Sequence, residues 1–232
     1  MEGLLEVRRG LVEGAGQQST ANEAYVDLFW APFRVYGRVA SSNELGEDGM
    51  SGESNAQEKD RMLALSDGTC VPVRKIQPED ASALQRLVGR LSERTVRLRY
   101  FGPMKELSDK KARHFAEVDG VKRFALVALD PEDEEEIVAV VRYDRDEETK
   151  SAEYAALVED RLQGKGLGLG MTRALIEIAR ERGIEDFEAL VLPQNRSMLN
   201  LLRSLNLPER VRWENGVKRF SIDLLPERAD VR

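Results

Sequence analysis

The stretch 161–170, RLQGKGLGLG, sets four glycines at alternating positions and runs at once into MTRALIEIARERG, a helical pattern. Glycine inside a helix or strand costs roughly 0.5–1 kcal/mol relative to alanine, so four of them in seven residues serve something other than stability. The backbone there is built to be approached closely. Whatever the chain folds into must therefore end one element before this loop, start a helix after it and leave the loop open. A helix N-terminus presents unpaired N–H groups and the positive end of the helix dipole, which makes such a loop a ready site for an anion, phosphate first.

Two well-defined phosphate loops fail on spacing. The P-loop needs G-x-x-x-x-G-K-[ST], whereas Gly164-Lys165 is followed by Gly166 with no hydroxyl residue beside it. The dinucleotide pattern G-x-G-x-x-G meets Leu169 when started at Gly164 and Met171 when started at Gly166. What remains is Gln163-Gly164-Lys165-Gly166-Leu167-Gly168, a Q-x-x-G-x-G pattern.

The periodicities around the loop alternate. TCVPVRKI reads as a strand, PEDASALQRLVGRLS as a helix opened by Pro78, ERTVRLRYFGPM as a basic, aromatic connector, and SDKKARHFAEV as a helix started by Ser108 and Asp109. KRFALVALD and EEEIVAVVRYD form a hairpin across the acidic turn PEDEE, followed by the strand KSAEYAALVED and the loop. Beyond it come a helix from Leu169 to Arg182 capped by Gly183, the strand DFEALVL, the helix NRSMLNLLRSLN and a hairpin around Asn215-Gly216. This order predicts an α+β domain with a mixed, mostly antiparallel sheet flanked by helices.

Composition divides the chain. Residues 41–67, rich in Ser, Gly, Asn and acids, read as a flexible linker. Upstream, residues 1–40 carry Tyr25, Phe29, Phe33 and Tyr36 on one helical face. That amphipathic segment docks on its own domain or a homodimer partner, or else serves a membrane or partner surface, and the sequence leaves both open. The folded domain is expected over 68–226, with a tail at 227–232.

This arrangement resembles the GNAT superfamily of acyl-CoA-dependent N-acyltransferases. VRKIQPEDASALQRLVGRLSERTVRLRYFG looks like the opening of bacterial protein-lysine acetyltransferase-type GNAT domains, with Leu91, Ser92, Arg99, Tyr100 and Phe101 in place, and VLPQNRSMLNLLRSLNL matches a strand followed by N-x-x-M, with Asn195 and Met198 in register. The resemblance implies acetyl-CoA as co-substrate, held in a cleft where strands 152–158 and 187–192 splay apart. Pantetheine would pair with the backbone near Leu157 and Val158, and the amides of Gln163, Gly164, Lys165, Gly166, Leu167 and Gly168 would hold the pyrophosphate, Lys165 adding charge. Asn195 would touch the pantetheine arm, and Glu153 would be the general base.

The chemistry gives that carboxylate its task. An alkylammonium with a pKa near 10 must lose a proton before it attacks a thioester, and a carboxylate raised by burial can take it. Many relatives supply a tyrosine from the helix after the Asn motif to protonate the departing thiolate; MLNLLRSLN has none, so no general acid is named. Relatives also end this segment with Gly-Phe where this chain has SLNL. An N-acetyltransferase acting on a protein lysine or small amine is expected; an acyl-CoA sensor, or an anchoring protein working through residues 1–40, are the alternatives.

Other classes fit less well. A net charge of −7 argues against nucleic acid as partner, and one cysteine with one histidine leaves too few soft ligands for a structural zinc, so no metal is expected. Cys70 is expected to be a small buried residue and His114 a surface helix residue. No apolar run reaches the roughly 18 residues of a membrane span, and MEGLLEVRRGLVEG does not read as a secretion signal, so a cytoplasmic protein is expected.

Overall fold

A computed structural model describes residues 61–145 and 148–225. The aromatic segment 25–36, residues 41–60 and the tail 227–232 lie outside the described residues. Eight strands build one sheet: β1 (Arg61–Ala64), β2 (Cys70–Lys75), β3 (Arg123–Asp130), β4 (Asp133–Arg145), β5 (Ser151–Val158), β6 (Asp186–Val191), β7 (Glu209–Glu214) and β8 (Val217–Asp223). Their order is β1-β2-β3-β4-β5-β6-β8-β7. Every neighbouring pair is antiparallel except β5 with β6, which run parallel. The mixed, mostly antiparallel sheet with flanking helices is thus the architecture the sequence led us to expect.

Both faces of the middle strands are covered, and their composition shows it. In β3, Phe124 to Leu129 are all buried, an unbroken apolar run that only a strand packed on two sides tolerates. One face carries α1 (Ala81–Arg90), α2 (Glu93–Tyr100) and α3 (Asp109–Ala116), which close over Val127, Ile137, Val140 and Leu157. The other carries α4 (Leu167–Glu181) and α5 (Arg196–Ser204). Helix α4 buries Leu167, Met171, Ala174, Leu175 and Ile178, one stripe at helical spacing. Its end is a Schellman closure: Gly183 takes a φ of 73°, its N–H reaches Arg180 O at 3.0 Å, and Ile184 N–H reaches Ala179 O at 3.0 Å.

Three expectations need correction. Residues 61–67, placed in the linker, belong to the fold: β1 pairs with β2, and Leu65 is buried. The segment expected as a connector holds helix α2, whose N-cap Ser92 accepts the N–H of Thr95 and whose Val96 and Tyr100, four apart, are buried. Cys70 is exposed rather than buried, because β2 begins there and its pairing with β3 starts only at Val73. His114 is exposed on α3, as expected.

Candidate functional site

Parallel strands β5 and β6 pair only over their first residues, Ser151 with Asp186, Ala152 with Phe187 and Glu153 with Glu188. β5 then stays with β4 as far as Val158, while β6 stays with β8 as far as Val191. The sheet therefore opens into a cleft of about 410 Å³ between them. Tyr154 and Phe187 stack at 5.3 Å between centroids, close to the point of divergence, and hold the two strands together there.

The glycine loop closes one end of this cleft. Gly164 and Gly166 have φ of 76° and 90°, and a Cβ on either would meet nothing within 4 Å, so the backbone turns left-handed beside open space. Gly168 and Gly170 answer to packing instead. A Cβ on Gly168 would stand 3.0 Å from Leu201, and one on Gly170 would stand 3.2 Å from Leu63 of β1.

Among the described residues, the N–H groups of Gly164, Lys165, Gly166, Leu167, Gly168 and Leu169 have no protein acceptor; the first bond of α4 is Gly170 N–H to Gly166 O at 2.9 Å. Gln163 departs from the expected role. Its N–H reaches Asp160 O at 3.3 Å and its Nε2 donates to Val158 O at 3.0 Å and Thr95 Oγ1 at 3.2 Å, so it braces the loop from inside. Lys165 is turned outward, its Nζ 3.0 Å from Asp67, while its carbonyl accepts the N–H of Ser66 at 3.0 Å. That ion pair is the main reason the Asp67 carboxyl is held down at about 2.

The loop is held from a third side by α2. Asp160 accepts the N–H of Ser92 at 2.9 Å, its Oγ at 2.7 Å and Thr95 Oγ1 at 2.7 Å. Buried Glu159 binds Arg161 at 2.8 Å and Arg90 at 3.2 Å. The Ser92 and Thr95 positions of the opening motif thus fix the turn that precedes the glycines, a role sequence reasoning did not identify.

Strand alternation decides which β5 groups face the cleft. Glu159 N–H reaches Val138 O of β4 at 2.8 Å, so counting back by twos, Leu157, Ala155 and Glu153 direct their main-chain groups to β4. Val158 and Ala156 direct theirs into the gap. This corrects Leu157: its main chain is spent on β4 and its side chain is buried among the α1–α3 residues. Ala156 takes its place beside Val158. Asn195 caps α5, its Oδ1 accepting Met198 N–H at 3.1 Å, and it lines the cleft.

Glu153 sits at the mouth of the divergence, partly buried and lining the cleft. Burial pushes its carboxyl up to about 7, Arg99 pulls against that, Asp144 pushes it further up, and Arg219 and Arg142 pull it down. Asp144 is its register partner on β4. Burial raises Asp144 as well, opposed by Arg123 and Arg142. Burial raises Glu188 too. Arg142, buried under the Phe115 ring at 4.7 Å, is drawn down to about 10 by burial and by Arg99. Tyr154 also lines the cleft; its hydroxyl is bonded to Thr172 Oγ1 at 2.6 Å, and burial raises its pKa. Among the described residues no group of His, Cys, Asp and Glu is arranged to hold a metal, and no helix is long and apolar enough to cross a membrane.

Known proteins share this fold. The family described as "Acetyltransferase (GNAT) domain" matches residues 71–207. Over 143 residues the chain is 32% identical to an acetyltransferase of Pseudomonas aeruginosa, covering 61% of this chain and 77% of that one. The crystal structure of the GNAT domain of PAT from S. lividans superposes with a TM-score of 0.66 at 32% identity, covering 71% of this chain and 96% of that one. The yncA protein of Salmonella typhimurium, solved with its cofactor acetyl-CoA, shares the fold with a TM-score of 0.54 at 16% identity, covering 68% of this chain and 95% of that one.

Proposed function

The chain belongs to the GNAT acetyltransferase family, and from that premise we propose that it transfers an acetyl group from acetyl-CoA to a primary amine, a protein lysine included, with Glu153 as general base. One observation carries the reading above the rest: a run of acceptor-free amides at Gly164–Leu169, of which Gly164, Gly166, Gly168 and Leu169 line the cleft, stands in the same cleft as a carboxylate poised near neutrality.

The residues divide the work. The six amides, aided by the N-terminal end of α4, suit a diphosphate. Ala156 and Val158 present strand-edge groups to which an amide-bearing arm adds as a strand would. Asn195 has its Oδ1 committed to the helix cap, which leaves its Nδ2 to donate toward the cleft. Acetyl-CoA supplies the activated thioester. Glu153 takes a proton from the acceptor ammonium, and the neutral amine then attacks the thioester carbonyl. A base with a pKa of about 7 is half ionised at neutral pH and strong enough to accept that proton. The thiolate, with a pKa near 8–9, leaves without a dedicated acid.

An acyl-CoA sensor would use the same amides and have no need of Glu153. Thiol release from acetyl-CoA in the presence of an amine panel, compared between wild type and Glu153→Gln, separates the two. The proposal expects turnover to collapse in the variant while CoA still raises the melting temperature. Turnover equal to wild type would remove Glu153 from the mechanism, and no stabilisation by millimolar CoA would remove the whole reading.

A further inference from the structure

Tyr154 follows Glu153 on β5, and its ring stacks on Phe187 with the planes 9° apart, where the two parallel strands part. Its hydroxyl reaches away from that stack into α4. It lies 2.6 Å from Thr172 Oγ1, which in turn lies 2.6 Å from Gly168 O. Both side chains are buried. A count of protons gives the direction of the two bonds. Thr172 has one hydroxyl proton and a carbonyl oxygen only accepts, so Thr172 donates to Gly168 and Tyr154 donates to Thr172. Burial raises the pKa of the phenol, which keeps that donor protonated.

Packing does not require these hydroxyls. Phenylalanine and valine would fill the same space with no polar group to satisfy, and such a replacement of a buried pair is close to neutral in stability. A threonine bonded back to the carbonyl four residues earlier slightly disfavours the helix that holds it. What the pair adds is a donor aimed at one carbonyl in the first turn of α4. That carbonyl shares a planar peptide group with Leu169 N–H. The two ends of a helical peptide group point opposite ways along the axis. A donor held on the core side therefore leaves the N–H directed out of the helix start, at the cleft that Leu169 lines. Donation to the oxygen also polarises the group and makes the N–H a stronger donor.

We propose that Tyr154 and Thr172 are positioning residues for the coenzyme: through Gly168 O they fix and polarise the Leu169 amide where it meets the diphosphate. The inference rests on the reading of the loop amides as the diphosphate site. Both hydroxyls are committed inside the protein and act through that one peptide group. They also tie the loop to the strand that carries Glu153, so the grip on the coenzyme and the place of the base share one support.

The test is calorimetric titration of the full chain with CoA and with pantetheine, alongside the melting temperature and the ¹⁵N–¹H spectrum. Tyr154→Phe keeps the ring on Phe187 and should weaken CoA about threefold to tenfold, the scale of one hydrogen bond, while the free protein's Leu169 amide shifts. Thr172→Val keeps the volume and should lose at least as much. Thr172→Ser gives up a buried methyl, so it should melt lower yet bind CoA within about twofold of wild type. Tyr154→Phe with Thr172→Val should bind CoA no more weakly than Thr172→Val alone. Should Thr172→Val alone fail to fold, the double variant, which leaves no hydroxyl unpaired, carries the same comparison with wild type. Pantetheine, which lacks the diphosphate, should bind wild type and variants alike. Wild-type CoA affinity in Tyr154→Phe, a Thr172→Ser as weak as Thr172→Val, or a loss of pantetheine affinity parallel to that of CoA would each overturn the proposal. Wild-type loop amides that CoA leaves unmoved would instead remove the diphosphate reading itself, and this proposal with it.

Discussion

Glu153 and Glu188 form the last in-register pair of β5 and β6, and beyond them the two strands separate. The candidate base thus stands where main-chain pairing ends and the cleft begins. Its register partner on β4, Asp144, is a second carboxylate, whose charge adds to burial in opposing the ionisation of Glu153.

Replacing Glu153 with glutamine should lower kcat on the order of 10²–10³-fold with little change in CoA affinity, the usual cost of a lost general base. In the wild type, kcat/KM should rise with pH through about 7, because only the ionised carboxylate accepts a proton.

The same group predicts a stability effect of defined sign. Its folded pKa of about 7 lies above the group's ordinary value of 4.5, so the folded state holds the proton more tightly than the unfolded chain. The associated stability is present below pH about 4.5 and is lost as pH rises through about 7. Glu153→Gln should therefore melt higher than wild type at pH 8 and no higher at pH 4, as calorimetry at both pH values would show.

Neighbouring charges should move the acid limb of the pH–rate profile in opposite directions. Asp144→Asn removes a charge that raises Glu153, so the limb shifts to lower pH; Arg99→Met removes one that lowers it, so the limb shifts to higher pH. Shifts of the same sign, or none, would show that the cluster does not act on the base.

In the glycine loop, Gly166→Ala forces a Cβ into a left-handed backbone at φ 90°, a strain of about 1–2 kcal/mol that should weaken CoA binding about tenfold. Gly170→Ala keeps helical geometry and meets only the Leu63 side chain, so it should leave CoA binding within about twofold and register in melting temperature instead.

Most of the sheet was legible because its strands obey a simple pattern: the apolar runs of β3 and β4, the alternation in β6 and the Asn215-Gly216 turn each have one reading. The misses share a cause. Helix α2 hides because six of its eight residues face outward or only partly inward, so Val96 and Tyr100 are too few to show a period. Strand β1 hides inside an acidic, glycine-rich stretch, although Leu63 and Leu65 tie it to α4 and to the core. In the candidate site, the loop pattern pointed to amides that lack a protein acceptor among the described residues but could not show that Gln163 is consumed internally. Strand parity, which separates Ala156 from Leu157, is set by a hydrogen bond between Glu159 and Val138, twenty-one residues apart in sequence, and no local pattern carries it.

The central claim is that the main-chain amides from Gly164 to Leu169 grip the diphosphate of coenzyme A. The most direct measurement is a titration of the ¹⁵N-labelled protein with CoA, following every backbone amide. The account predicts that the largest shifts fall on Gly164, Gly166 and Gly168, and that pantetheine, which lacks the diphosphate, leaves those three in place. Saturation with CoA that leaves these amides unmoved while others shift would contradict it.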